Sequence, residues 1–178
     1  ENSKIVAWCG STAYWQRLYD IIPMMKGICD RDGTFRMVFV ANGVQVVRNL
    51  CAKFNFDQKY WRVFELPQPC VSKYLRACDI GIHALTVDDL RSRFCSPVKL
   101  GEYLASGLPV AITRTMGDMK EWIVNEGAGV VLADDLNPTD AYDKLVSLTA
   151  IPRDVARECA RRHYRWECYH DNIIKTFS

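Results

Sequence analysis

Residues 94–113, FCSPVKLGEYLASGLPVAIT, constrain the fold most, because they predict a helix that is followed at once by a buried strand. Ser96 is a suitable N-cap, and Pro97 suits the first helical position, where no amide hydrogen is needed. Gly107 favours the end of the helix, and the apolar residues 110–112 predict a short strand. A helix that leads directly into a buried strand is typical of folds in which helices cover a sheet.

The rest of the chain repeats this alternation of strands and helices. Five further apolar runs predict strands at residues 4–9, 35–41, 60–66, 79–85 and 129–133. Helical patterns lie at about 13–30, 44–54, 72–78 and 117–126, and three more close the chain at about 138–149, 152–163 and 166–177. We therefore expect an α/β fold with a doubly wound, parallel six-stranded sheet and helices on both faces. Ligands of such sheets bind at the carboxyl ends of the strands.

The composition fits one soluble globular domain, which we expect to span residues 1–178. Apolar residues make up 49% of the chain and charged residues 25%, and the net charge is +2. This charge is too small to indicate a nucleic-acid partner or a membrane surface, and no apolar run approaches the roughly 20 residues of a membrane span. Because the chain has no signal peptide and begins with Glu1 rather than Met, we interpret it as part of a longer protein.

The eight cysteines are interpreted as reduced thiols of a cytoplasmic protein. A disulfide framework is the weaker alternative, because the chain is neither short nor rich in loops. No two cysteines have the C-x-x-C spacing of a zinc site or a redox motif, and the sequence contains no acidic metal cluster. We therefore expect no metal and no cofactor, and we interpret His163 and His170, on the terminal helices, as structural.

Glu102 is the residue of the central helix that most needs an explanation, because the apolar positions around it predict a mostly buried helix. Those positions are Val98, Leu100, Tyr103 and Leu104. Lys99 lies three residues before Glu102, so an ordinary surface ion pair is one explanation. The alternative is a ligand: the free amides and the positive dipole end at residues 96–99 favour an anion, and a carboxylate further along can accept hydrogen bonds from a ribose diol. A phosphate and a ribose together describe a nucleotide.

The stretch SPVKLGEYLASGLPVA, residues 96–111, resembles the donor-binding segment of GT-B glycosyltransferases of the family 4 type, the glycosyl transferases group 1. The similarity continues through GDMKEWIVNEGAGVVL, residues 117–132. It implies that residues 1–178 are the C-terminal half of a GT-B fold, a Rossmann-like domain that binds a nucleotide-diphosphate sugar as its substrate. It also implies a missing N-terminal domain, which in this family carries the acceptor site and usually the catalytic base.

The resemblance also implies candidate donor-binding residues, but it assigns no catalytic residue. Glu102 matches the second glutamate of the family's Glu-x7-Glu motif, which binds the ribose, whereas Phe94 stands in place of the first, on the sugar side. His83, at the end of the fourth strand, would face the sugar or a phosphate, and the loop of Glu65 and Leu66 would border the base. The diphosphate would lie against Gly10 and Ser11 in the turn after the first strand and against Ser96, Val98 and Lys99 at the start of the central helix. Arg17, expected one and a half turns into the first helix, is a further candidate contact.

Several of these residues have plain structural alternatives, which the sequence leaves open. The turn at Gly10 and Ser11 lacks a complete phosphate-binding pattern, so it is equally compatible with a simple turn and helix cap. A single histidine at a strand end, such as His83, is usually hydrogen-bonded locally. Arg91 and Arg93 are alternative cations for the diphosphate, but they also suit a solvated loop.

The resemblance implies that the full-length protein is a retaining glycosyltransferase of the hexosyltransferase type. Its acceptor would be a molecule such as a cell-surface polysaccharide precursor, and residues 1–178 alone would bind the donor without turnover. The expected partners are the donor and the missing N-terminal domain; a peripheral membrane contact through the full-length protein stays open. Two alternatives remain: an epimerase-like domain that acts on sugar nucleotides, and a non-catalytic nucleotide-binding or interaction module whose donor site has degenerated at Phe94.

Overall fold

A computed structural model describes residues 3–86, 97–114, 117, 119–165, 167 and 174. Six strands lie within these residues: β1 (Lys4–Ser11), β2 (Phe35–Asn42), β3 (Trp61–Phe64), β4 (Ile80–His83), β5 (Val110–Ile112) and β6 (Gly129–Val131). They form one sheet in the order β3-β2-β1-β4-β5-β6, and every neighbouring pair is parallel. The strand order reverses between β1 and β4, which confirms the predicted doubly wound, Rossmann-like class.

Helices cover both faces of the sheet. The described helices are α1 (Leu18–Arg31), α2 (Val44–Lys53), α3 (Gln68–Arg76), α4 (Val98–Ala105), α5 (Met119–Asn125), α6 (Pro138–Leu148) and α7 (Arg153–His163). The first two helices and α6 pack on one face, whereas α3, α4, α5 and α7 pack on the other. Among the residues that the structure describes, no helix is long and apolar enough to cross a membrane. The predicted helix at 166–177 lies outside these residues, apart from 167 and 174.

The central strand β1 pairs unequally with its two neighbours. It pairs with β2 along its whole length, from Lys4 to Ser11. With β4 it pairs at two positions, Val6 with Ile80 and Ala7 with Gly81. The strands at the reversal point therefore stop pairing well before β1 ends, and the carboxyl edge of the sheet is open at this point.

The start of α1 differs from the prediction. The helix was expected from about residue 13, but a short 3-10 turn at Tyr14–Gln16 precedes it and α1 begins at Leu18. The break lies at Arg17, which adopts a left-handed conformation with φ of 53° and so cannot continue a right-handed helix. Arg17 therefore precedes α1, although it was expected one and a half turns into it.

The central helix α4 ends as predicted. Gly107 takes a φ of +83°. Its amide donates to the carbonyl of Leu104 at 2.9 Å, and the amide of Leu108 donates to the carbonyl of Tyr103 at 3.0 Å. These two bonds form a Schellman motif, which satisfies carbonyls that the helix end leaves open. The side chains of Tyr103 and Leu104 are fully buried, in agreement with the predicted apolar face.

The start of α4 departs from the prediction in two ways. Pro97 is the N-cap and not the first helical residue, so the helix begins at Val98. Val98 was expected among the buried positions, but it is 71% exposed at the first position of the helix. The predicted cap, Ser96, lies outside the described residues.

Candidate functional site

Tyr103 fixes α4 above the open edge between β1 and β4. Its hydroxyl accepts a hydrogen bond of 2.5 Å from the backbone amide of Cys9, near the end of β1. Complete burial raises the pKa of the Tyr103 hydroxyl well above its usual value, so the group is neutral. The ring lies directly over Gly81, where a Cβ atom would come within 2.6 Å of Tyr103 Cγ. The glycine thus allows the close approach that brings the polar face of α4 to the carboxyl edge.

Glu102 and Lys99 lie on this polar face and form the ion pair that the simpler explanation predicts. Lys99 Nζ is 3.2 Å from Glu102 Oε2. The other carboxylate oxygen, Oε1, accepts a hydrogen bond of 2.7 Å from Gln68 Nε2. The Glu102 side chain is 21% exposed, so the carboxylate is still reached by solvent. The pair with Lys99 and a contact with a ribose are therefore compatible, because a carboxylate offers about four acceptor positions.

The sequence analysis did not identify Gln68, because its local sequence pattern has no feature typical of a binding residue. It is the first residue of α3, which begins four residues before the predicted start at 72, directly after the N-cap Pro67. The expected base loop, with the exposed Glu65 and the half-buried Leu66, precedes it. Gln68 therefore connects this loop to Glu102, and the candidate base and ribose positions are neighbours.

Lys99 also approaches the ends of β1 and β4. Burial raises the pKa of the Cys9 thiol, and the charge of Lys99 together with a hydrogen bond between the two side chains partly opposes this rise. Burial, and secondly the charge of Lys99, lower the pKa of His83 to about 4, so this imidazole is neutral near pH 7. The ammonium group of Lys99 thus contacts Glu102 and is close enough to Cys9 and His83 to influence their pKa values.

His83 is 2% exposed, and neither of its ring nitrogens has a hydrogen-bond partner among the described residues. The alternative of a locally bonded histidine thus finds no support in the part of the chain that the structure describes. Buried polar groups are nearly always paired in folded proteins. Within the described ranges, which leave out residues 87–96, a water molecule or a ligand at the end of β4 could therefore meet both nitrogens of His83.

The turn after β1 is filled by a side chain of the protein itself. The amide of Gln16 packs against Gly10, where a Cβ atom would collide with Gln16 Oε1. Gln16 Nε2 is 3.3 Å from the hydroxyl of Ser11 and donates a hydrogen bond to it. The two predicted phosphate-turn residues therefore contact Gln16, which the sequence analysis did not identify.

Arg17 is held by two of its nitrogens and directs the third into the interior. Its Nε donates to Asp20 Oδ2 at 2.8 Å, and its Nη2 donates to the carbonyl of Asp134 at 2.6 Å, beyond β6. The side chain is only 10% exposed, and Nη1 has no partner among the described residues. Arg114, after β5, forms an ion pair with Asp134. Arg17 thus links the loops that follow β1 and β6, and its Nη1 group keeps two N–H donors without a partner among the described residues.

Unpartnered polar atoms concentrate at the carboxyl edge of the sheet. In the described part of the chain, every buried side-chain nitrogen or oxygen without a hydrogen-bond partner belongs to β1, to the end of β4, or to the segments that follow β1, β4 and β6. These atoms are on Trp8, Gln16, Arg17, His83, Thr86 and Asp134. A buried polar atom without a hydrogen bond destabilises the folded chain, so these atoms favour a polar molecule that can bond to them. This edge of the sheet therefore has the hydrogen-bonding groups of a polar ligand site. Phe94, Ser96, Arg91 and Arg93 lie outside the described residues.

Comparisons with solved structures give the same fold at low sequence identity. WaaG, a glycosyltransferase involved in lipopolysaccharide biosynthesis, is 16% identical, with a TM-score of 0.72 over 97% of this chain and 46% of its own. A TarM variant from S. aureus, in complex with Fondaparinux, alpha-GlcNAc-glycerol and UDP, is 14% identical, with a TM-score of 0.69 over 100% of this chain and 33% of its own. The chain thus spans less than half the length of these two proteins.

A third similar structure is itself a single domain. It is the C-terminal domain of LpcC, a glycosyl transferase group 1 family protein from Francisella tularensis, which is 15% identical. Its TM-score is 0.63 over 96% of this chain and 86% of its own. A search of curated protein sequences finds no match.

The model of one protein family matches most of the sequence, from residue 3 to residue 150. That segment contains all six strands of the sheet, the polar face of α4 and the open edge with its unpartnered polar atoms. It also contains residues 96–111, whose sequence resembles the donor-binding segment of this family. The chain belongs to the glycosyl transferases group 1 family, whose members have the GT-B fold.

Proposed function

We propose that this chain is the C-terminal, donor-binding domain of a glycosyltransferase and that it binds a nucleotide-diphosphate sugar at the carboxyl edge of its sheet. One observation carries the proposal: the unpartnered buried polar atoms of the described residues gather at this edge and at its neighbouring loops. Membership of the glycosyl transferases group 1 family supports it. So does the TarM structure, which holds UDP.

Glu102 would bind the ribose hydroxyls, with the base beside the loop of Glu65 and Leu66 and the diphosphate beside Lys99. The contacts of Glu102 with Gln68 and Lys99 support this order, because one neighbour leads to the base loop and the other to the open edge. The unpartnered Nη1 group of Arg17 is buried, so we assign it a minor contact with the diphosphate. His83 is a neutral group at the sugar side.

The reaction that we propose for the full-length protein is retaining transfer of a glycosyl group, of hexosyl type, to an acceptor such as a cell-surface polysaccharide precursor. Lys99 would stabilise the departing diphosphate, and the domain would otherwise act by positioning the donor. The acceptor site would lie on a separate N-terminal domain in a cytoplasmic enzyme, with membrane contact through that full-length protein. Residues 1–178 alone should therefore bind without turnover.

Calorimetric titration of the chain with the diphosphates of uridine, guanosine and adenosine tests the proposal. We expect one of the three to bind at a single site, and the other two to bind at least about tenfold more weakly. Binding of none would overturn the proposal and favour an interaction module with a degenerate donor site. A parallel assay with the matching sugar nucleotide and simple acceptors should detect no transfer by the chain alone.

A further inference from the structure

A second cluster of polar side chains lies outside the proposed donor site. It consists of Glu126, which directly follows α5, and of Cys159 and His163 on α7. One potential ligand atom of each residue lies within 4.8 Å of the other two. Because α5 connects the carboxyl end of β5 to the amino end of β6, Glu126 is at the opposite end of the sheet from Glu102. None of the three residues has a role in the proposed transferase.

Local structure fixes the positions of these side chains. Cys159 and His163 are four residues apart on α7, so they share one face of the helix. Glu126 is held by the turn that ends α5, in which Gly127 has a φ of +67° and its amide donates to the carbonyl of Val124 at 3.0 Å. The cluster is thus built from two rigid helix ends.

The surroundings also orient the individual groups. The imidazole of His163 stacks on the indole of Trp122, with 4.2 Å between ring centroids and 11° between planes. Its Nε2 lies 2.5 Å from Glu126 Oε1, while Arg162 pairs with the other carboxylate oxygen at 3.6 Å. Cys159 is 1% exposed and packs beneath them. Outer contacts of this kind commonly hold metal ligands in place.

The chemistry of the three groups matches one class of metal. A thiolate sulfur, an imidazole nitrogen and a carboxylate oxygen are the ligand types that zinc takes in proteins, and three of them leave a fourth position for water. The carbonyl ends of α5 and α7 also converge here, and their partial negative charge favours a cation. We propose that Glu126, Cys159 and His163 bind a single divalent cation of the zinc class, which fastens the end of α5 to α7.

Binding would replace contacts that already exist. The cation would replace the hydrogen bond between Glu126 and His163, with the neutral imidazole binding through Nε2 and carrying its one proton on Nδ1. It would also replace the thiol proton of Cys159, which would leave to solvent. The sequence analysis missed this set because it searched for two cysteines at short spacing. Here the carboxylate comes from a distant segment, and only the packing of α7 beside α5 brings it to the cysteine and the histidine.

The experiment uses the metal alone. The whole chain, treated with a chelator and then freed of it, is titrated with Zn²⁺ by calorimetry and with Co²⁺ by absorbance. We expect one ion per chain, submicromolar zinc affinity, and a sulfur-to-cobalt charge-transfer band that requires a thiolate ligand. Zn²⁺ should also raise the melting temperature, since it binds the folded chain preferentially. A chain without the charge-transfer band, or without saturable zinc binding, would overturn the proposal.

Variants locate the site. Cys159→Ser, His163→Gln and Glu126→Gln should each weaken zinc binding by at least about tenfold, and Cys159→Ser should remove the charge-transfer band. The matched controls are Cys70→Ser, a half-buried thiol elsewhere, and Glu158→Gln, which loses the same charge one residue before Cys159. Binding that survives all three cluster variants, or that falls equally in the controls, would contradict the assignment. If a cluster variant fails to fold, the cobalt spectra of the wild type and of Cys70→Ser test the proposal instead. Both proteins should show the charge-transfer band, and its absence from either would contradict the assignment.

Discussion

Gln68 donates a hydrogen bond from its Nε2 to Oε1 of Glu102 across 2.7 Å, and this bond joins the loop after β3 to α4. The second oxygen of Glu102 accepts from Lys99 at 3.2 Å. The loop after β3, a carboxylate and a cation are therefore linked in this order. The order matches the base, ribose and phosphates of the donor that we propose for this site.

The first prediction concerns the carboxylate of Glu102. Glu102→Ala should weaken binding of the preferred nucleoside diphosphate by about one to two decades, or roughly 1–3 kcal/mol, because charge-assisted hydrogen bonds to the ribose are lost. Glu102→Gln should lose part of this, since the amide keeps one acceptor without the charge. Calorimetric titration measures the affinity, and thermal melting should change little.

The control for this prediction is Gln68→Ala, which removes the neighbour of Glu102 but leaves the carboxylate. Its affinity should fall by less than that of Glu102→Ala. If Glu102 only pairs with Lys99, the Glu102 variants should shift the free energy of unfolding by tenths of a kcal/mol and leave affinity unchanged. Unchanged affinity in a folded Glu102→Ala protein would refute the ribose contact.

The second prediction follows from Phe94, which by the sequence resemblance would occupy the position of the family's first glutamate. A phenyl ring cannot accept hydrogen bonds from sugar hydroxyls, so the nucleotide should contribute most of the affinity. The free diphosphate and the matching sugar nucleotide should therefore bind within about a factor of three of each other, or less than 1 kcal/mol. Paired titrations measure this. A strong preference for one sugar nucleotide would indicate that another residue contacts the sugar.

The third prediction concerns the contact between Gly81 and Tyr103. Gly81→Ala should lower the free energy of unfolding by about 1–3 kcal/mol, because the new methyl group would come within 2.6 Å of the ring and overpack the core. Gly33→Ala is the matched control, since its nearest atom would be 3.8 Å away. Urea unfolding measures both. Equal stabilities of the two variants would show that α4 moves aside without cost.

The fourth prediction is a pH dependence that arises from His83. Its pKa in the folded chain is about 4, below the ordinary value of 6.5, so the unfolded chain binds more protons between these values. Stability should therefore fall as the pH drops below about 6.5, by roughly 2 kcal/mol at pH 5 from this group alone. The measurement is urea unfolding of wild type and His83→Gln at pH 7.5 and 5.0. If wild type and His83→Gln lose the same free energy of unfolding between pH 7.5 and 5.0, protonation of His83 does not destabilise the fold.

Short, continuous apolar runs made the strands predictable. A strand such as β5, with residues 110–112 between Gly107 and a polar turn, has few alternatives once its neighbours alternate with helices. Right-handed crossovers and a doubly wound arrangement are the default for such a chain, so the Rossmann-like class could be predicted from the sequence. The end of α4 was equally clear, because Gly107 is the residue that a left-handed helix end requires.

The errors arose where a position depends on tertiary contacts. Arg17 takes a left-handed conformation that its residue type does not favour, because Asp20 and the carbonyl of Asp134 hold its guanidinium. The amide of Gln16 occupies the turn at Gly10, and no local pattern marks either residue for that contact. The ion pair of Glu102 and Lys99, on one helix face, was thus predictable, whereas contacts made where loops from separate strands meet were not.

The separation of β1 and β4 has a consequence for the entropy of binding. Beyond Ala7 and Gly81 the strands no longer pair, and the Tyr103 hydroxyl already accepts from the amide of Cys9 that would otherwise face β4. The contacts that hold this opening come from the chain itself, so we expect it to be preorganised for an occupant. A donor would immobilise only rim side chains such as Lys99, so little of its interaction free energy is spent on ordering the protein.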